Sequence, residues 1–154
     1  MLPDKSAVVA ALNAQTRASL AGVEAVAEAA RKDVGSDETR QEGKYDTRST
    51  EASYLARGQA WRVAELRRLV AWYEAFQASP LDVVQVGALV LLEGDDAVFL
   101  APVGGGSVQV DDRTIRIVSP SSPMGAALAD LEAGDVLQFE SPRGRVELEV
   151  IAVR

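Results

Sequence analysis

The chain has 154 residues, a formal net charge of −7 and a pI near 4.6. That length fits one ordinary domain, or a small domain plus an extended element, and the acidity argues against a nucleic-acid coat or a binder of anionic membranes. Cysteine and histidine are both absent, which excludes disulfides, thiolate and imidazole metal sites, cysteine nucleophiles and the Ser-His-Asp triad.

Any chemistry must therefore rest on carboxylates, Lys, Tyr or hydroxyls. Met1 is followed by no apolar leader, and no run of about 18 apolar residues occurs, so a soluble cytoplasmic protein is expected. Charge divides the chain before Pro80. Residues 1–79 carry 11 basic and 11 acidic side chains, whereas residues 80–154 carry 5 basic and 12 acidic ones. Composition shifts at the same place, from Ala, Glu, Arg and Leu to Val, Gly and Pro. The expected organisation is α+β, with a helical segment over 1–79 and a β-rich domain over 80–154.

Pro3 and Asp4 suit a helix start. From there Val8, Val9, Leu12, Leu20, Val23, Val26, Ala30 and Val34 recur at roughly helical spacing. A second pattern begins near Ser49 or Thr50 and runs to about Ala78. Its stripe is Ala52, Leu55, Ala56, Gln59, Val63, Leu66, Leu69, Val70, Tyr73 and Phe76, close to a 3-4 repeat. Two helices of this length and a short connection predict an antiparallel coiled-coil hairpin. Its tip is expected within residues 35–48, with Gly35 and Gly43 as helix breakers. The stretch from Asp33 to Glu51 contains the acids Asp33, Asp37, Glu38, Glu42, Asp46 and Glu51. By composition alone such a run reads as a solvated hairpin end. Trp61 and Trp72 read as core or domain-docking aromatics rather than a stacking platform.

In the second half, Val83–Leu92 reads as a strand with a bulge at Gly87. Ala97–Val103, Ser107–Val110 and Thr114–Val118 read as further strands. Gly104-Gly105-Gly106 reads as a turn, because no Gly-Lys-Ser/Thr follows. Asp95-Asp96 and Asp111-Asp112 read as solvated turn acids, since no calcium-loop pattern surrounds them. Ser122 reads as an N-cap and Pro123 as the first residue of a short helix to Leu128. A hairpin across Ser141-Pro142-Arg143-Gly144 joins Val136–Glu140 to Val146–Val153.

The motif Ser122-Pro123-Met124-Gly125-Ala126-Ala127-Leu128 resembles a signature of Gre-type transcript-cleavage factors. So do Ala133-Gly134-Asp135-Val136-Leu137, Glu147-Leu148-Glu149-Val150 and the helix entry Glu51-Ala52-Ser53-Tyr54-Leu55-Ala56. The resemblance implies an N-terminal antiparallel coiled coil and a C-terminal FKBP-like domain. It implies bacterial RNA polymerase as partner, with the C-terminal domain at the rim of the secondary channel and the hairpin inside it. It further implies that tip acids assist a magnesium ion of the polymerase active site in cleaving backtracked transcripts, the protein itself being no enzyme. The family's tip positions fall on Thr47 and Thr50 here, so the candidate acids are the displaced Asp46 and Glu51, with Glu42 in reserve. Ser122, Pro123, Met124, Asp130 and Glu132 are the candidate docking residues. No cofactor is expected in the isolated protein, and a monomer is favoured. The alternatives are a channel binder that does not stimulate cleavage and a plain coiled-coil interaction module. A peptidyl-prolyl isomerase, by fold analogy alone, is disfavoured because residues 80–154 hold only Phe99 and Phe139 as aromatics.

Overall fold

The structure, a computed structural model, describes residues 1–37 and 47–154. Helix α1 spans Lys5–Asp37 and helix α2 spans Thr47–Ala75. The strands are β1 (Leu89–Leu92), β2 (Asp96–Leu100), β3 (Ser107–Val110), β4 (Arg113–Val118), β5 (Val136–Ser141) and β6 (Gly144–Val153), with the short helix α3 (Pro123–Leu128) between β4 and β5. The chain forms two compact units: Met1–Leu12 together with Ala75–Arg154, and Asn13–Glu74.

In the first unit the six strands form one sheet in the order β3-β4-β2-β1-β6-β5. All neighbours are antiparallel except β2 and β4, which are parallel. A parallel pair needs a crossover, and β3 provides it on the outer edge. Val90, Leu92, Val98 and Leu100 pack on one face with Met124 and Leu128 of α3 and with Leu137 and Val150. Side chains alternate along a strand, so Leu89, Ala97, Phe99, Ile115 and Ile117 lie on the other face, all buried. There Phe76 meets Phe99 edge-to-face, with centroids 6.2 Å apart. The central strands are thus covered on both sides, which explains their continuous apolar sequence.

The start of α1 belongs to this unit. The Ser6 amide donates to the Asp4 carboxylate at 3.2 Å, an N-cap bond. Lys5 is only 7% exposed, and its Nζ donates to the Ser79 carbonyl at 2.6 Å. Burial lowers its pKa. The strand expected over Val83–Leu92 is shorter than its apolar run. Gly87 has φ +96°, and a Cβ there would lie 2.5 Å from the Phe76 ring. The backbone therefore turns at Gly87, β1 begins only at Leu89, and Val83 makes an isolated bridge to Glu132.

In the second unit the two helices run antiparallel, since Arg17 pairs with Glu74 and Glu24 with Arg67 (2.8 Å). Gly35 lies within α1 rather than breaking it, and α2 starts at Thr47, earlier than its pattern suggested. The expected tip falls largely on residues 38–46, outside the described residues. Burial follows the 3-4 stripe and fades along it. Leu66, Val70 and Tyr73 are buried, Val63 and Leu69 half-buried, and Leu55 is 68% exposed. On α1, Thr16 is buried, Leu20 and Val23 are half-buried, and Val26 is 57% exposed. Leu55 belongs to the apolar stripe of the sequence but is not buried. Trp61 is 63% exposed, so it is not a core aromatic. Trp72, half-buried, stacks edge-to-face on Tyr73.

This gradient makes a paired prediction. Leu66→Ala should cost about 2–5 kcal/mol, and Leu55→Ala no more than about 0.5 kcal/mol, in urea unfolding followed by circular dichroism. A second prediction concerns alkali. Burial raises the Tyr73 hydroxyl from 10.0 to about 12. Between those values the unfolded chain gives up this proton and the folded chain keeps it. Stability should therefore fall as pH rises through that window, and Tyr73→Phe should remove this component of the loss.

Candidate functional site

Two regions carry candidate residues: the segment from Ser119 to Asp135, and the acids around the expected tip. The first is built on backbone contacts. Ser122 caps α3, its Oγ accepting from the Gly125 amide at 3.0 Å and donating to the Ser119 carbonyl at 2.8 Å. Pro123 occupies the first turn, where no amide donor is needed. A Cβ on Gly125 would overlap the Ser119 carbonyl oxygen. A Cβ on Gly104 would stand 2.5 Å from the Ser119 nitrogen. The Ser119 backbone is thus wedged between two glycines, and only glycine fits at either place.

Beyond α3 the chain is tied to the segment before β1. The Asp130 amide donates to the Val84 carbonyl at 2.9 Å, and the Val84 amide donates to the Leu131 carbonyl at 2.8 Å. Asp130 adopts φ +65°, a left-handed conformation that Asp tolerates better than most residues. The Asp135 carboxylate then accepts from the Glu132 amide at 2.8 Å, closing the turn. Gly134, at φ +96°, donates to the Val150 carbonyl at 2.7 Å, and Val150 donates back to Asp135 at 2.8 Å. The Gly134-Asp135 pair of the sequence motif is therefore a structural turn.

The docking candidates separate on burial. Pro123, Asp130 and Glu132 are exposed, and Ser122 is half-buried with its hydroxyl engaged in the cap. Met124 is 6% exposed and belongs to the core. Positions 124 and 128 share one face of α3, and that face lies on the sheet. Met124 is therefore a core residue and not the docking contact expected from the sequence. The role of Gly125 and Gly104 was missed from sequence; the Gly in the α3 motif was the available signal.

Of the tip acids, Glu51 is exposed in the second turn of α2. Asp46 and Glu42 lie outside the described residues. Among the described residues, no group of three acids is placed to hold a metal ion. Among them too, no helix is long and apolar enough to cross a membrane. The hairpin unit also holds an apolar groove of about 830 Å³ between α1 and α2, with Gly22, Val23 and Val26 on one wall and Tyr54, Leu55 and Gly58 on the other.

Residues 79–154 match the family described as transcription elongation factor, GreA/GreB, C-terminal. Over 75 residues the chain is 35% identical to the transcription inhibitor protein Gfh1 from one strain of Thermus thermophilus, and 33% identical to that from a second strain. Each alignment covers 47% of this chain and 47% of the relative, so the chain matches about half the length of these curated relatives. A solved structure of the transcription factor Gfh1 is 21% identical over 94% of both chains, with a TM-score of 0.40. The GreA/GreB elongation factor from Nitrosomonas europaea is 19% identical over 57% of this chain and 78% of its own, with a TM-score of 0.34.

The clamp on Ser119 makes a local prediction. Gly125→Ala forces backbone to move and should destabilise the protein by about 3 kcal/mol in thermal or urea unfolding. Ser122→Ala, which loses the cap, should cost only about 1 kcal/mol.

Proposed function

Through residues 79–154 the chain belongs to the Gre-type transcription elongation factor family, and from that membership we propose that it binds bacterial RNA polymerase and regulates elongation from the secondary channel. The observation that carries the docking part is the acidic edge at Asp130 and Glu132, held by reciprocal backbone bonds beside α3. Acids on a fixed backbone present charge in one geometry, which favours a basic partner surface and speeds encounter. The family acts as transcription factors rather than as enzymes, so the chain's contribution is binding and placement.

Occupation of the channel without stimulated cleavage is the reading we favour. Two considerations support it. The relatives at 35% and 33% identity carry the name transcription inhibitor. At the tip, threonines stand at the positions where the family resemblance implies acids, Thr47 and Thr50. The second reading is stimulation of transcript cleavage. In it Asp46 and Glu51, or Glu42, would offer carboxylates to a magnesium ion of the polymerase, since magnesium prefers oxygen ligands. The exposed carboxylate of Glu51 is the observation that keeps it open.

The experiment uses purified protein with core polymerase on a stalled, backtracked complex. The favoured reading expects slowed elongation, no acceleration of cleavage, and no difference for Asp46→Asn or Glu51→Gln. Accelerated cleavage that falls about tenfold or more in those variants establishes the second reading instead. Asp130→Lys and Glu132→Lys should each weaken polymerase binding about tenfold at low salt, mainly through the on-rate. Unchanged affinity in both removes docking through this edge.

A further inference from the structure

The groove between α1 and α2 is at odds with the rest of its own helix pair. Where Leu66, Val70 and Tyr73 lie, the stripe is buried. Toward the connection, Val26, Tyr54 and Leu55 are more than half exposed while lining one groove of about 830 Å³. The groove is open to solvent, and its apolar walls give water few hydrogen-bonding partners. A Cβ built on Gly22 or Gly58 would meet nothing within 4 Å. Each wall therefore has clear space ahead of it and, at its glycine, no side chain to stop its advance. On α2, residues 53–58 are all exposed. Helices in proteins owe most of their stability to a packed apolar face, which this part of α2 lacks.

We propose that this part of the hairpin is a clasp, open in this structure, which closes when α1 and α2 approach each other across Gly22 and Gly58. What fills the groove is the facing helix of the same chain. Closure brings Val23 and Val26 against Tyr54 and Leu55 and extends the buried 3-4 stripe past Val63. The ion pair between Glu24 and Arg67 links the two helices, so the approach starts from helices already tethered. The inference goes beyond the polymerase reading and does not depend on it, because both states belong to the isolated chain.

The absence of cysteine makes the test direct. Ala25→Cys with Ala56→Cys places two nitroxide labels at exposed positions flanking the groove. Ala18→Cys with Ala71→Cys, also at exposed positions, places a control pair at the packed end. Pulsed electron paramagnetic resonance should give two distance populations for the first pair and one for the control. Gly58→Leu puts a side chain into the groove and should reduce the shorter population about tenfold without altering the control. A single population for the first pair, whatever its length, overturns the proposal. So does a shorter population that Gly58→Leu leaves unchanged. Hydrogen exchange on the unlabelled wild type provides an independent reading. Amides of residues 53–58 should exchange about a hundredfold or more faster than those of 66–73, and uniform protection along α2 contradicts the clasp.

Discussion

The geometry of the β-rich unit depends on the backbone of one residue, Ser119. Its nitrogen faces Gly104 and its carbonyl faces Gly125, both at distances that no side chain could share. The same carbonyl accepts the Ser122 hydroxyl and the Ser122 amide. This clamp fixes where β4 ends and where α3 begins. It seats Met124 and Leu128 on the sheet and leaves Pro123 outside. The chain then enters the loop whose Asp130 and Leu131 exchange hydrogen bonds with Val84. A surface that is to recognise a partner needs such a frame, because a charge on a mobile loop loses entropy when it is ordered.

Much of this unit was legible in the sequence because its signals are local. Ser122-Pro123 announces a cap and a first turn, and the alternation Val146, Leu148, Val150 announces a half-solvated strand. What was not legible is non-local. Gly87 looked like a bulge within a strand, but it turns the chain because Phe76 lies against it. The three glycines at 104–106 looked like a plain turn, and only the fold shows that Gly104 lies against Ser119. Met124 looked available because a motif gives residue order and not the direction in which each side chain points.

The hairpin shows the converse limit. Its 3-4 stripe predicts which face is apolar but not how closely that face is covered. Leu66 and Leu55 occupy equivalent-looking places in the pattern, yet one is 3% and the other 68% exposed. The difference lies in the company they keep. Around Leu66 the stripe supplies Val63, Val70 and Tyr73, whereas around Leu55 the groove positions include two glycines and a serine. Small residues permit close approach and also contribute little burial. The tip acids are a separate case, since spacing alone cannot say which carboxylate stands in for which.

The central proposal is that the clamped segment from Ser119 to Asp135 docks on bacterial RNA polymerase. Hydrogen exchange of the full chain, alone and with an excess of bacterial core RNA polymerase, tests it most directly. Slowed exchange is expected to concentrate in residues 119–135, together with changes in α1 and α2 as the hairpin is enclosed. Complex formation with exchange in residues 119–135 unaltered would contradict it.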